Sequence, residues 1–336
     1  MSDNYSYTKK ALLRMLSENA RASITQLSNF ADCSRITASN GVKELEKEFG
    51  LFYTIEFDLD KLGLGQRHII MAKFEKKPKI GALRQLLADD RVVQFASTTT
   101  GDFDFLVYAV SPSSLEYMRW ETLVQTRLAE YGVTFMPSQM VMSHIGFIPL
   151  SSRLVSEMDM RRFGLDETDK AMLLQLNENS RISYRDLAKL VGVREDTLRY
   201  RFMRLNRAGI IRRFTVVMKK PPTAYNVAFF VDYKFTAGTE ARAKKAREYY
   251  MSVDGKMPLV NKFQVLAPIS GSHRFFVLGC FENDEDAEES FIKKHNEFFK
   301  GDSPTIYSAK IENVVKGMLP IRNIDVRSNY RVVNWE

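Results

Sequence analysis

Thr8–Leu27 reads TKKALLRMLSENARASITQL, and Thr168–Leu187 reads TDKAMLLQLNENSRISYRDL. Ten of the twenty positions are identical, among them Leu13/Leu173, Leu16/Leu176, Glu18/Glu178, Asn19/Asn179, Arg21/Arg181 and Leu27/Leu187. A likeness this dense at a fixed shift of 160 residues is an internal repeat, and it governs every later reading of the chain. It thins downstream and returns where Gly101 aligns with Gly271, and again where Gly146-Phe147-Ile148-Pro149 echoes Gly317-Met318-Leu319-Pro320. The 336 residues are therefore read as two copies of one unit.

Each copy opens with helices. Leu12, Leu13 and Leu16, like Met172, Leu173 and Leu176, recur at helical spacing. A second helix begins at Ser23 or Ser183, with Gln26 or Asp186 placed three residues on, as in a capping box. A short turn, Ala31-Asp32-Cys33 or Val191-Gly192-Val193, leads to a third helix over Ser34–Phe49 or Arg194–Ala208, closed by Gly50 or Gly209. Its buried stripe is predicted as Ala38, Val42 and Leu45 in copy one, and as Leu198, Phe202 and Leu205 in copy two. β-Rich stretches follow at Leu51–Phe57 and Ile210–Met218. Helix, helix, tight turn, helix and a β-hairpin is the winged helix-turn-helix order, whose third helix enters the major groove of DNA.

The period then changes. Arg67–Phe74 reads as a strand, Pro78–Asp89 as a helix, Val92–Thr99 and Phe105–Val110 as strands, Ser113–Tyr131 as a helix and Val133–Val141 as a strand. Copy two repeats the order over Val227–Phe235, Glu240–Ser252, Val260–Leu266, Phe275–Phe281, Asp284–Lys300 and Thr305–Val314. This is βαββαβ, the ferredoxin-like arrangement. The expected class is α+β, with two winged helix-turn-helix domains (residues 1–62 and 165–220) alternating with two ferredoxin-like domains (63–150 and 221–320). Residues 151–164 read as a linker, and 321–336, with Trp335, as a tail.

A net charge of +8 and a pI near 9.3 favour a polyanionic partner such as nucleic acid. Cys33 and Cys280 lie far apart and without neighbouring ligands, which suits a reducing cytoplasm and argues against zinc or a disulfide framework. The polar opening Met1-Ser2-Asp3-Asn4 does not read as a signal peptide, and apolar runs such as Val227–Val231 are too short to cross a bilayer. No nucleophile triad, phosphate-binding loop or dinucleotide glycine motif is visible, and no cofactor is expected.

Two sets of residues resemble the Lrp/AsnC family of prokaryotic transcription regulators. One is the string Leu187-Ala188-Lys189-Leu190-Val191-Gly192-Val193, followed by Thr197-Leu198, Arg204-Leu205 and Gly209-Ile210-Ile211. The other is Thr100-Gly101-Asp102-Phe103-Asp104-Phe105-Leu106-Val107. The resemblance covers nearly the whole chain, and the fused double copy is similar to archaeal members. It implies a double-stranded DNA partner, pairing through the ferredoxin-like sheets, homo-oligomers, and amino-acid or similar effectors at those interfaces. Whether the sheets pair within one chain or between chains is open at this point.

The two recognition helices differ in charge. Ser34–Glu48 carries Arg35, Lys43 and Lys47 against Glu44, Glu46 and Glu48, so 3 − 3 = 0; Arg194–Arg207 carries five arginines against Glu195 and Asp196, so 5 − 2 = +3. Phosphate neutralisation supplies much of the affinity for DNA, so copy two is expected to bind more strongly. Its candidate contacts are Arg194, Glu195, Thr197, Arg199, Tyr200, Arg201 and Arg204 on the helix, with Arg212 and Arg213 on the following hairpin, which also carries Lys219 and Lys220. In copy one the matching positions are Ser34, Arg35, Ile36, Ser39, Asn40 and Lys43, and the hairpin carries Glu56, Asp58 and Asp60. A solvated helix face would show similar residues; the duplicated helix-turn-helix frame favours the DNA-reading surface.

The turn Gly101-Asp102-Phe103-Asp104, with Thr100 before it, is the candidate effector loop. Glycine permits close approach, exposed amides suit a carboxylate, and aspartates suit an ammonium. The same residues also suit a plain hairpin. Copy two reads Gly271-Ser272-His273-Arg274 and lacks both aspartates, so its loop is read as degenerate.

Two other functions fit the same architecture. Sirohaem decarboxylases are built from fused units of this kind, so fold alone does not decide. Of His68, His144, His273 and His295, only His273, beside Arg274, suits a tetrapyrrole's carboxylates, and Asp102 and Asp104 would repel them. The neutral first recognition helix fits an interaction adaptor, and the +3 second helix argues against one. The sequence favours a regulator rather than an enzyme.

Overall fold

Residues 2–140, 148–160, 164–218, 225–251 and 263–318 are described in a computed structural model of the chain. His144, Gly146, Phe147, Lys219, Lys220, Leu319, Pro320 and the tail with Trp335 lie outside the described residues.

Local chemistry sets the helices of both halves. In copy one α1 spans Ser2–Glu18, α2 Ile24–Phe30 and α3 Arg35–Phe49. Ser23 caps α2 in a reciprocal box with Gln26, Ser34 accepts the Thr37 N–H at the start of α3, and Gly50 ends α3 in the left-handed region at φ 57°. Strand β1, Leu51–Phe57, follows.

In the ferredoxin-like part of copy one, β2 is Gln66–Phe74, α4 Ile80–Leu87, β3 Val93–Gly101, β4 Phe105–Ser111, α5 Ser114–Arg127 and β5 Val133–Met140. The stretch read as a linker holds a further helix, α6 (Ser152–Glu157), because Ser151 is its N-cap and Leu154 and Val155 are buried.

In copy two α7 is Glu167–Glu178, α8 Tyr184–Val191, α9 Glu195–Arg207 and β6 Ile211–Met218. Asp166 and Asp169 form a capping box on α7, and Ser183 caps α8. Ala38, Val42, Leu45, Leu198, Phe202 and Leu205 are all buried against the neighbouring helices.

The hairpin wing expected after each third helix is not present among the described residues. Instead β1 and β6 pair with each other, antiparallel, from Leu51↔Met218 to Phe57↔Ile211. A lone strand leaves a row of amides and carbonyls unpaired, and the second copy supplies an equivalent strand to complete them. Reciprocal bonds surround this ladder. The Ala20 N–H donates to the Phe214 carbonyl at 2.9 Å and the Ser180 N–H to the Tyr53 carbonyl at 3.0 Å. The two helical units are thus related by a pseudo-two-fold axis inside one chain.

In the remainder of copy two β7 is Tyr225–Asp232, α10 Thr239–Met251, β8 Phe263–Gly271 and β9 Phe275–Phe281. The helix here termed α11 runs through Asp284–Ala287, a π-helical Glu288–Lys293 and Lys294–Phe299, and β10 is Thr305–Lys316. Within each copy the strand order is ferredoxin-like, β3-β4-β2-β5 and β8-β9-β7-β10. The two sheets then join at both edges: β5 pairs with β8, and β10 pairs with both β7 and β3, closing an eight-stranded barrel. Sheet pairing therefore occurs within the chain. Phe103, Leu106, Phe230, Ala267, Phe276 and Leu278 belong to the core inside, while α4 and α5 cover one outer face, with Leu83 and Trp120 in one core with Ile70 and Val107 of the sheet. Among the described residues no helix is long and apolar enough to cross a membrane.

Candidate nucleic-acid interface

Helix α9 buries Leu198, Phe202 and Leu205 and turns the rest of its surface outward. Arg194, at the N-cap, is exposed, as are Asp196, Thr197, Arg199, Tyr200, Met203, Arg204 and Arg207, with Tyr200 70% accessible. Glu195 is half-buried and bonds Arg199 one turn on, at 2.6 Å. The Arg199 guanidinium also lies 4.7 Å over the Tyr184 ring, which fixes its direction. These residues run along the outer face of the helix from its N-cap to its last turn, and the dipole favours an anion at the Arg194 end.

Two of the predicted contacts, Arg201 and Arg204, are tied to α7. Arg201 bonds Asp166 at 2.7 Å and Asp169 at 3.0 Å, and Arg204 bonds Asp169 as well. Asp169 is fully buried, so these arginines anchor α9 to α7. The Asp166 carboxyl is held below its usual range, first by the Asp169 N–H and then by Arg201, whose own guanidinium is pushed up by Asp166. Arg212 and Arg213 sit on the inter-copy ladder rather than on a wing; Arg213 bonds Glu56 at 2.5 Å, and Arg212 lies 3.6 Å from it.

In copy one Ser34 is taken up by its cap, Arg35, Asn40 and Lys43 are exposed, and Ser39 is half-buried. Ile36, one of the matching positions, is 75% exposed at the start of α3. The anchor is charge-reversed: Lys9, which aligns with Asp169, lies 3.2 Å from both Glu44 and Glu48. Sequence reasoning missed this pair. The signal was present, since position 9/169 changes sign within the aligned block together with Glu44/Arg204.

The candidate effector loop is packed against the other copy. Thr100 pairs with Lys310 and Gly101 with Ala309 on β10. The Asp102 N–H donates to the Ser308 carbonyl at 2.8 Å, and its carboxylate accepts the Ser308 N–H at 2.7 Å. The Asp104 carboxylate accepts the Phe74 N–H at 3.0 Å and lies 2.8 Å from Lys77. Burial works to raise this carboxyl, and the Lys77 ammonium and Phe74 amide outweigh it, so it titrates below the usual range.

Gly101 has φ 139°, and a Cβ there would lie 2.5 Å from the Ser308 carbonyl oxygen. The close approach that the glycine permits is thus made by β10. Gly271 repeats the arrangement against Pro137 and Ser138 of copy one. His273 is buried against Phe230 and Tyr307, and Arg274 faces Asp232 at 3.7 Å. Among the described residues no His, Cys, Asp or Glu cluster could hold a metal ion.

An AsnC-type helix-turn-helix domain model matches residues 165–206, which span α7 to α9. The chain is 29% identical over 134 residues to an HTH-type transcriptional regulator of Pyrococcus abyssi, covering 40% of this chain and 78% of that one. It is 32% identical over 74 residues to the HTH-type transcriptional regulator FL11 of Pyrococcus furiosus, covering 22% of this chain and 49% of that one. In fold it is similar to the crystal structure of the siroheme decarboxylase NirDL, with TM-score 0.56, 12% identity and 93% of each chain covered. The last likeness is one of architecture, over both copies; the sequence likeness is to transcription regulators.

Proposed function

We propose that this chain, an Lrp/AsnC-type transcription regulator, binds double-stranded DNA sequence-specifically and draws most of its affinity from copy two. The observation that carries the reading is the outer face of α9, where Arg194, Arg199 and Arg207 stand with Thr197 and Tyr200 on a helix anchored through buried Asp169. Arg194 at the helix start is placed for base edges, and Arg207 for phosphate. Arg201 and Arg204 add positive field while holding the helix, and Arg212 and Arg213 act at the ladder. Helix α3 supplies a weaker, neutral reading surface.

An amino acid or similar zwitterion is assigned to the seam between Gly101–Asp104 and β10. A ligand entering there exchanges the Asp102–Ser308 bonds for its own and shifts one sheet against the other. Regulation requires that it bind the two arrangements with different affinity. Homo-oligomerisation, which the family implies, then uses outer faces, because the sheet edges are already paired. As a DNA-bound regulator the chain works in the cytoplasm.

A decarboxylase reading gains nothing from the site. The cavity between β1 and the sheet is about 110 Å³, and its charged lining is Glu56, Asp58 and Asp60 with Arg67 and Arg212. Pockets for drug-sized ligands run to about 300–1,000 Å³, and the arginines of this smaller cavity already face its own carboxylates, Arg67 at 3.0 Å from Asp60 and Arg212 at 3.6 Å from Glu56.

The test is fluorescence anisotropy on the promoter fragment of the protein's own gene and on a scrambled control, across a salt series. Wild type should prefer the promoter and weaken with salt. Arg194→Ala/Arg207→Ala should bind more weakly, with a salt slope shallower by about one for each phosphate left without its arginine. Absence of binding to either fragment at low salt refutes the reading.

A further inference from the structure

The pseudo-two-fold axis puts the two third helices in equivalent places and lets their surfaces be compared position by position. Buried Ala38, Val42 and Leu45 match buried Leu198, Phe202 and Leu205, which fixes the alignment of the outer faces. On those faces Ser34 stands where copy two has Arg194, Arg35 where it has Glu195, and Ile36 where it has Asp196. Ser39 matches Arg199, Asn40 matches Tyr200, and Lys43 matches Met203. Of the positions at the start of the helix, Thr37 and Thr197 alone agree.

From this we infer that the chain reads an asymmetric operator: two adjacent half-sites that differ, one A·T-rich under α3 and one G·C-rich under α9. The inference rests on the DNA-binding reading above. A symmetric dimer presents one reading surface twice and therefore selects a palindrome. This chain carries both surfaces itself, held by the β1–β6 ladder, so the two cannot be exchanged for copies of one another.

The base preferences follow from the groups. Asparagine pairs with the N6/N7 edge of adenine and an exposed aliphatic side chain packs on the thymine methyl, which fits Asn40 and Ile36. Arginine pairs with guanine and a carboxylate accepts from cytosine N4, which fits Arg194 and Asp196. The charge reversal of the helix anchors, Lys9–Glu44 against Asp169–Arg204, adds to the difference in field along the two helices. An asymmetric site also fixes one orientation of the chain on the DNA.

The experiment is selection of binding sequences from a random duplex library by the full chain, repeated with Asn40→Ala and with Arg194→Ala. Both positions are exposed, and thermal melts check that each variant folds. The expected motif has unlike halves about one helical turn, or a multiple, apart. Asn40→Ala should relax only the A·T half, and Arg194→Ala only the G·C half, each by about 5- to 150-fold at the affected base pair. If the chain assembles further, the motif repeats as a composite, and neighbouring halves still differ. Two identical adjacent halves, or a single half-site insensitive to Asn40→Ala, overturns the inference and leaves DNA binding intact. Failure to enrich any sequence, with no binding to bulk duplex at low salt, overturns the DNA-binding reading and the inference with it.

Discussion

Thr54 and Thr215 face each other across the ladder between the two copies, and each donates its hydroxyl to the first helix of the opposite copy. Thr54 donates to the Asn177 carbonyl and Thr215 to the Ser17 carbonyl, both at 2.8 Å. Ser17 and Asn177 are equivalent residues of the repeat, so this is one interaction made twice around the axis. Both threonines are buried, at 0% and 1% exposure. Arg21 reinforces the same joint by donating to the Ser180 and Ile182 carbonyls and lying 4.7 Å over Tyr184.

Replacing either threonine by valine keeps its shape and removes the donor. Thr54→Val and Thr215→Val should each lower stability by about 1 kcal/mol, with the facing carbonyl left short of a partner. Because the two residues are paired in the ladder, the double variant should depart from the sum of the singles. Urea denaturation of the four proteins measures this. Strict additivity with no loss in either single would show that the joint contributes little.

Arg204 and Arg207 sit one turn apart and should respond differently to alanine. Arg204 pairs with the fully buried Asp169, so its removal weakens an ion pair whose other half cannot reach water; the cost is on the order of 1–3 kcal/mol. Arg207 is exposed, and its loss should leave the melting temperature unchanged while weakening DNA binding. Melting curves and anisotropy on the same pair of variants separate the two roles. Equal stability of both variants would remove the anchor assigned to Arg204.

Gly101 and Gly271 make the same approach with different clearance. A Cβ at Gly101 meets the Ser308 carbonyl oxygen at 2.5 Å, and one at Gly271 meets the Pro137 carbonyl oxygen at 3.1 Å. Both have positive φ, 139° and 126°, so alanine is strained at either. Gly101→Ala should therefore cost more than Gly271→Ala, by about 1 kcal/mol or more, because both meet backbone but at 2.5 Å the strand must move, whereas at 3.1 Å a few tenths of an ångström suffice. Thermal melts decide it, and the reverse order would show that the seam opens more readily at β10 than at β5.

The sequence made the repeat and the helices legible because their signals are local. Capping residues, closing glycines and apolar spacing all lie within one turn of the group they serve. The order of the strands followed from the change of period. The wing was misread because pairing is not local: Leu51–Phe57 is as good a strand in a hairpin as in a ladder with a segment far along the chain. The effector loop shows the same limit. Gly101 and Gly271 recur while the aspartates do not, and what both glycines share in the structure is contact with the opposite copy's last strand. Charge on α9 was countable from the sequence, but which arginines face Asp169 depends on how α7 crosses it.

His295 gives the fold a defined response to acid. It is 2% exposed, packed against Phe299 at 4.6 Å and Phe291 at 5.4 Å, and burial pushes its imidazole down to about 4. The ordinary value is 6.5, so above that pH both folded and unfolded chains carry a neutral ring. Below it the unfolded chain takes up a proton that the folded chain refuses until pH is near 4. The unfolded state then binds more protons, and stability falls as the pH drops through this window. His68, stacked on Tyr117 at 3.6 Å and also depressed to about 4 by burial, acts in the same direction. His295→Phe suits the surrounding aromatic rings and should flatten the stability profile between pH 6.5 and 4, retaining on the order of 1–3 kcal/mol at the acid end. Urea midpoints taken across that range test it. A variant whose profile runs parallel to wild type would place the acid sensitivity in other groups.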